Sequence, residues 1–171
     1  MKSWPNVILV AALTAAFAVA SCERQDTQAP AEEVTTAPAP NDEGPWRLEA
    51  SATAGSALVF SDGDGIERLR LVCRRGPAEF VAQAADVQPI GSEERFTLGV
   101  GETLFTLVAD VSSGLPFVEA KAPLSPALIA ALGSGQPIAA NYGATNLGPH
   151  PPPQREVRDA FIRACEQALT A

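Results

Sequence analysis

Histidine, methionine and tyrosine each occur once in the 171 residues, and cysteine three times. A zinc site needs three or four converging His, Cys or carboxylate ligands, and this stock of donors, with no HExxH, does not suggest one. A serine nucleophile would have only His150 as its base, and no GxSxG elbow is present. Neither a phosphate loop nor a dinucleotide fingerprint occurs, so no cofactor is expected. Basic residues are also short, 12 against 20 acids, for a net charge of −8. Nucleic-acid binding needs a cationic footprint that displaces counterions, and this balance argues against it. Aromatics make up only 6%, whereas 13 Gly and 15 Pro point to many turns and to short strands rather than a helix bundle.

No apolar run reaches the ~20 residues of a spanning helix. The longest, Val7 to Ala20, is interrupted only by Thr14 and follows the positive Lys2, which is the layout of a signal-peptide core. It ends in Val19-Ala20-Ser21-Cys22. This tetrapeptide resembles the lipobox of bacterial lipoproteins. The resemblance implies cleavage before Cys22 once its thiol carries diacylglycerol, giving a signal peptide over 1–21 and a membrane anchor at Cys22. Several acyl chains hold a protein far more firmly than one. Glu23 follows where an Asp would mark inner-membrane retention in that family, so the expected location is the outer membrane, facing the periplasm.

Residues 22–45 hold six acids against Arg24 alone, four prolines and no apolar period. Such a segment has no face to bury and reads as a disordered tether. A single globular domain is expected over 46–171.

Within it, Trp46–Ala50 and Ala57–Ser61 read as short strands, and Asp62-Gly63-Asp64-Gly65 as a hairpin turn. The same four residues fail as a calcium loop, because Ile66 and Glu67 stand at the fifth and sixth positions. Leu69, Leu71 and Cys73 then alternate with Arg68, Arg70 and Arg74, the clearest strand in the chain. Glu79–Ala84 and Arg95–Val100 continue the pattern. Glu93-Glu94 reads as a solvated loop. Thr103–Ala109 is almost wholly apolar and is expected to be a central strand. Phe117–Lys121 and Ile138–Tyr142 are further strands.

The period changes at Ser125-Pro126, an N-cap with proline after it, giving a short helix near 126–132 that Gly133 stops. Gly148 to Pro153 reads as a proline-rich loop carrying an exposed His150. A closing helix near 154–168 has the stripe Val157, Phe161, Ala164, Cys165 and Ala168. The fold class is α+β: a mostly antiparallel sheet, as a sandwich or partly open barrel, with two helices.

With Cys22 lipidated, Cys73 and Cys165 remain, an even pair in an oxidising compartment and each on an apolar face. A structural disulfide follows; a redox or metal-binding pair would be expected to show CxxC spacing. Arg68, Arg70, Arg74 and Arg75 form a stripe in an otherwise acidic protein, a surface for an anionic partner such as a glycan or an envelope protein. The same arginines also serve simply to keep a sheet soluble.

The strand Leu69 to Cys73, the short helix Leu128–Leu132 and the closing helix with Phe161 and Cys165 resemble secreted bacterial proteins of the invasion-associated locus B type and type VI secretion accessory proteins. That resemblance implies a disulfide-tied β domain without an active site. Two functions follow as expectations: a non-enzymatic binding, inhibitory or assembly module of the envelope, or a small periplasmic hydrolase whose site is assembled only on folding.

Overall fold

A computed structural model describes residues 44–51, 55–85, 87–112, 115 and 117–171. The signal peptide, Cys22 and the tether as far as residue 43 lie outside the described residues. The described chain runs β1 (Trp46–Ser51), β2 (Gly55–Ser61), β3 (Glu67–Arg74), β4 (Glu79–Ala84), β5 (Arg95–Val100), β6 (Thr103–Ala109), β7 (Val118–Pro123), α1 (Pro126–Gly133), β8 (Ile138–Tyr142), β9 (Thr145–His150) and α2 (Arg155–Thr170). The nine strands form one open antiparallel sheet in the order β1-β2-β3-β4-β7-β6-β5-β8-β9. With both helices the protein is α+β.

Hairpins with short turns build most of this order. Asp62 closes β2 onto β3: its carboxylate accepts hydrogen bonds from the backbone N–H of Asp64 and Ile66, each 3.0 Å. The Gly101-Glu102 turn joins β5 to β6, with Gly101 at φ +56°, a region that favours glycine. Gly55 opens β2 with φ +96°, and a Cβ there would overlap the Cys73 carbonyl, so only glycine lets the two strands approach.

Alternation then sorts the side chains. Leu58 and Phe60 of β2, Leu69, Leu71 and Cys73 of β3, Phe80 and Ala82 of β4, and Phe96 and Leu98 of β5 all enter one buried cluster. In register, Leu58 faces Leu71, which faces Ala82, which faces Ala120. The two helices complete this core, α1 through Leu128, Ile129 and Leu132, and α2 through Val157, Phe161, Cys165 and Ala168. The Ser125 hydroxyl caps α1 by accepting from the Leu128 N–H at 3.3 Å. α2 packs against α1 and against β1, β2 and β3. The Cys73–Cys165 disulfide fixes that packing, with both residues almost fully buried.

β6 is central in the order, as its sequence suggests, although Leu104 is 70% and Val108 63% exposed. The helices contribute to the core on the inner face, where Leu107 and Ala109 are buried, and among the described residues the outward-pointing apolar side chains of β6 meet no second layer. β6 also registers with β7 only at Val108 and Ala109. One expectation is corrected: β9 covers Thr145–His150 and so takes in the first half of the proline-rich loop expected over Gly148 to Pro153, whose second half has no regular structure. The Gly148–Pro149 peptide is cis. Proline lacks an N–H, and an edge strand tolerates that loss because one side of it has no ladder to feed.

Candidate functional site

The outer face of β1 to β4 carries a second, smaller apolar cluster, Ala57, Val59, Val72 and Val81. Val59 and Val81 are fully buried although, among the described residues, neither helix contributes to their cluster. Long polar side chains form their cover, which the register arranges in rows. One row reads Arg47, Val59, Arg70, Gln83 and Glu119; the next reads Glu49, Ala57, Val72, Val81 and Lys121. The aliphatic stems of arginine, lysine and glutamate can lie along valines while their heads stay in water.

Those heads pair. Arg70 reaches Glu49 at 2.7 Å through Nη1 and Glu67 at 2.7 Å through Nε. Arg47 joins the same two carboxylates at 3.0 and 3.2 Å and donates to the Ser61 hydroxyl at 2.6 Å. Further along, Arg74 lies 3.2 Å from Glu79 and 3.6 Å from Glu119, and Lys121 lies 3.1 Å from Glu119. Gln83 donates to Glu119 at 2.8 Å.

The electrostatics follow from this pairing. Burial alone would raise the Glu49 pKa, but hydrogen bonds and charge from Arg70 and then Arg47 outweigh it and hold the carboxyl below its usual range. Glu119 is held low in the same way, with Gln83, Lys121 and Arg74 outweighing burial. Hydrogen bonds to Glu67, and then to Glu49, hold the Arg70 guanidinium more firmly protonated against the effect of burial.

Between the rows lies a groove of about 320 Å³ lined by Glu49, Ala50, Gly55, Ala57, Arg70, Val72, Arg74 and Gln83. Its floor is small and apolar because Gly55, Ala57 and Val72 sit there, and its walls are the charged rows. Thus two of the four arginines picked from sequence, Arg70 and Arg74, face one groove. Arg68 is drawn elsewhere: its Nε donates to Asp62 at 2.6 Å beside the β2–β3 turn, and this bond leads the causes that lower the Asp62 pKa. Arg75 is exposed just past the end of β3.

Sequence reasoning missed the other half of this face, Arg47, Glu49, Glu67, Glu79 and Glu119. A signal existed in part, since Arg47 and Glu49 alternate along β1 as Arg68 and Arg70 do along β3. The pairing across strands had no local mark.

His150 is also corrected. It is half-buried at the end of β9, stacked on Phe60 with ring centroids 3.9 Å apart and edge-on to Trp46 at 6.3 Å. Burial lowers its pKa. Glu93 belongs to the loop before β5, where its carboxylate accepts from the Arg95 N–H and its carbonyl from the Tyr142 hydroxyl, both at 2.8 Å. Among the described residues, no three His, Cys, Asp or Glu side chains converge as metal ligands, and no helix is long and apolar enough to cross a membrane.

No protein-family model matches the chain, and no curated protein does. A solved structure from Burkholderia pseudomallei K96243, described as a novel protein of unknown function, is similar over 62% of this chain and 82% of that one. Its sequence identity is 13% and its TM-score 0.35, a likeness too slight to argue from.

Proposed function

We propose that this chain is an exported envelope lipoprotein, anchored through Cys22, whose folded domain binds another macromolecule instead of transforming a substrate. The observation that carries the export half is the buried Cys73–Cys165 bridge. Disulfides form and persist in oxidising compartments such as the periplasm and are rare in the cytosol. That bridge agrees with the compartment implied by Val19-Ala20-Ser21-Cys22 at the end of an apolar run.

The binding half rests on the groove beside Arg74. Arg68 and Arg70 are each held by ion pairs of 2.6–2.7 Å, whereas the contacts of Arg74 are 3.2 and 3.6 Å long. Arg75 is exposed beside it. An anionic partner, a glycan or an acidic patch of another envelope protein, would therefore draw on Arg74 and Arg75 first. The apolar floor of Ala57 and Val72 offers it a surface beside the charges.

Two experiments test these halves separately. Cys22→Ala should leave an unprocessed precursor that takes up no labelled palmitate; processing at the same bond with retention in the membrane fraction would remove the anchor. Retention on an immobilised sulfated glycan at low salt should be lost in Arg74→Glu/Arg75→Glu, because surface charge attraction is screened by salt. Equal retention of variant and wild type would remove the arginine surface.

A further inference from the structure

The two ends of the sheet order meet at one rim. The Trp46 indole Nε1 at the start of β1 donates to the carbonyl of Pro151, just past β9, at 2.6 Å. Phe60 of β2 sits between them, its ring 5.1 Å from Trp46 and 3.9 Å from His150. β1 and β9 share no ladder, and the seam is made by this aromatic cluster, that hydrogen bond and Gln154, whose side-chain amide lies against Gly44 just before β1.

His150 is the only histidine in the chain, and its Nε2 is buried without a hydrogen-bond partner. A neutral imidazole tolerates this when Nε2 is the bare nitrogen. An imidazolium does not in this arrangement, whatever the starting tautomer, because both of its nitrogens carry a hydrogen and Nε2–H would have no acceptor: Gln154 Oε1, the other buried atom without a partner among the described residues, makes no hydrogen bond to it. Among the described residues, no charge acts on the His150 ring beside burial. Phe60 and Trp46 face the ring from β2 and β1, Gly148 lies against its Cδ2 from β9, and Ile138 of β8 pairs with its backbone. On α2, Arg155 is 81% exposed and turned toward Asp159.

We propose that the β1–β9 seam is an acid-sensitive latch: a proton taken up by His150 drives its ring off Phe60 and releases the Trp46–Pro151 hydrogen bond. The rest of the domain has other ties. α2 is held to β3 by the Cys73–Cys165 bridge, and the β2–β3–β4–β7 ladders do not pass through the seam. Opening is therefore local, and it bares the outer edges of β1 and β9 at that rim. Burial keeps the His150 pKa below its usual 6.5, so the latch is closed at neutral pH and opens as pH falls through that lowered value.

The sequence makes the test unusually direct. Its two tryptophans are Trp4 and Trp46, so the full chain with Trp4→Phe has one indole, at the seam, and one imidazole, facing it. Nuclear magnetic resonance of His150 should give a midpoint below 6.5, and Trp46 emission should shift to the red at that same midpoint, with far-ultraviolet circular dichroism unchanged. His150→Phe, which keeps a ring on Phe60 and cannot take the proton, should show no Trp46 transition over that range. A midpoint at or above 6.5 would overturn the latch, since it would mean that attraction between the imidazolium and the aromatic faces exceeds the cost of burial. A flat Trp46 signal while His150 titrates, or loss of the whole fold at the same pH, would overturn it as well.

Discussion

Cys73 on β3 and Cys165 on α2 are joined across 92 residues, with Cα atoms 5.1 Å apart, in a core layer they share with Leu71 and Phe161. The bridge closes a loop spanning most of the described chain, so it restricts the unfolded chain strongly as well as pinning α2 to the sheet.

Reduction, or Cys165→Ser, should destabilise the domain by about 2–5 kcal/mol, the usual cost of losing a native disulfide. Urea unfolding with and without reductant reads this difference. Labelling of unreduced, denatured domain should find neither Cys73 nor Cys165 reactive. α2 should become the first protease-sensitive element once reduced, because an amphipathic helix that is undocked is marginal.

On the outer face, Arg70→Ala leaves Glu49 and Glu67 without their closest cation. The side chain of Arg70 is about one-quarter exposed, so the cost should fall between an exposed and a buried pair, about 1–2 kcal/mol. A loss below that range in chemical denaturation would reduce the network to solvated surface charge.

Two carboxylates of this face, Glu49 and Glu119, set an acid limb. Glu49 and Glu119 are held below the usual 4.5, so they contribute stability that is present above that value and lost as pH falls through their lowered values. A denaturation midpoint followed from pH 6 to pH 3 should drop on the acid side, and Arg70→Ala should flatten the part that comes from Glu49.

Much of this architecture was legible. The alternation of Leu69, Leu71 and Cys73 with arginines placed β3 and both of its faces, and Ser125-Pro126 placed the start of α1. Alternation reports which residues share a face, and capping chemistry is local, so both survive without tertiary information. β6 shows the limit: an apolar run shows that a strand is hydrophobic, not which of its faces finds a cover. β9 was hidden because Gly148-Pro149 reads as a turn unless the strand is known to be an edge. The acid partners of Arg70 and Arg74 were hidden because Glu49 and Glu119 reach them across ladders, from strands distant in sequence.

The exposure of Leu104 on β6 has its own consequence. Leu104→Asn should change stability by no more than about 0.5 kcal/mol, as for an ordinary surface site. Leu107→Ala, three residues on and fully buried, should cost about 2–5 kcal/mol. Equal and large losses at both positions would mean that the outer face of β6 is covered after all.

The export claim is met most directly by the intact mass of the unreduced protein, extracted from membranes in detergent. The expected species begins at Cys22, carries acyl chains on that residue, and is two hydrogens lighter than its reduced form through the Cys73–Cys165 bridge. A species that retains residues 1–21, or one that begins elsewhere and bears no acyl mass, would contradict it.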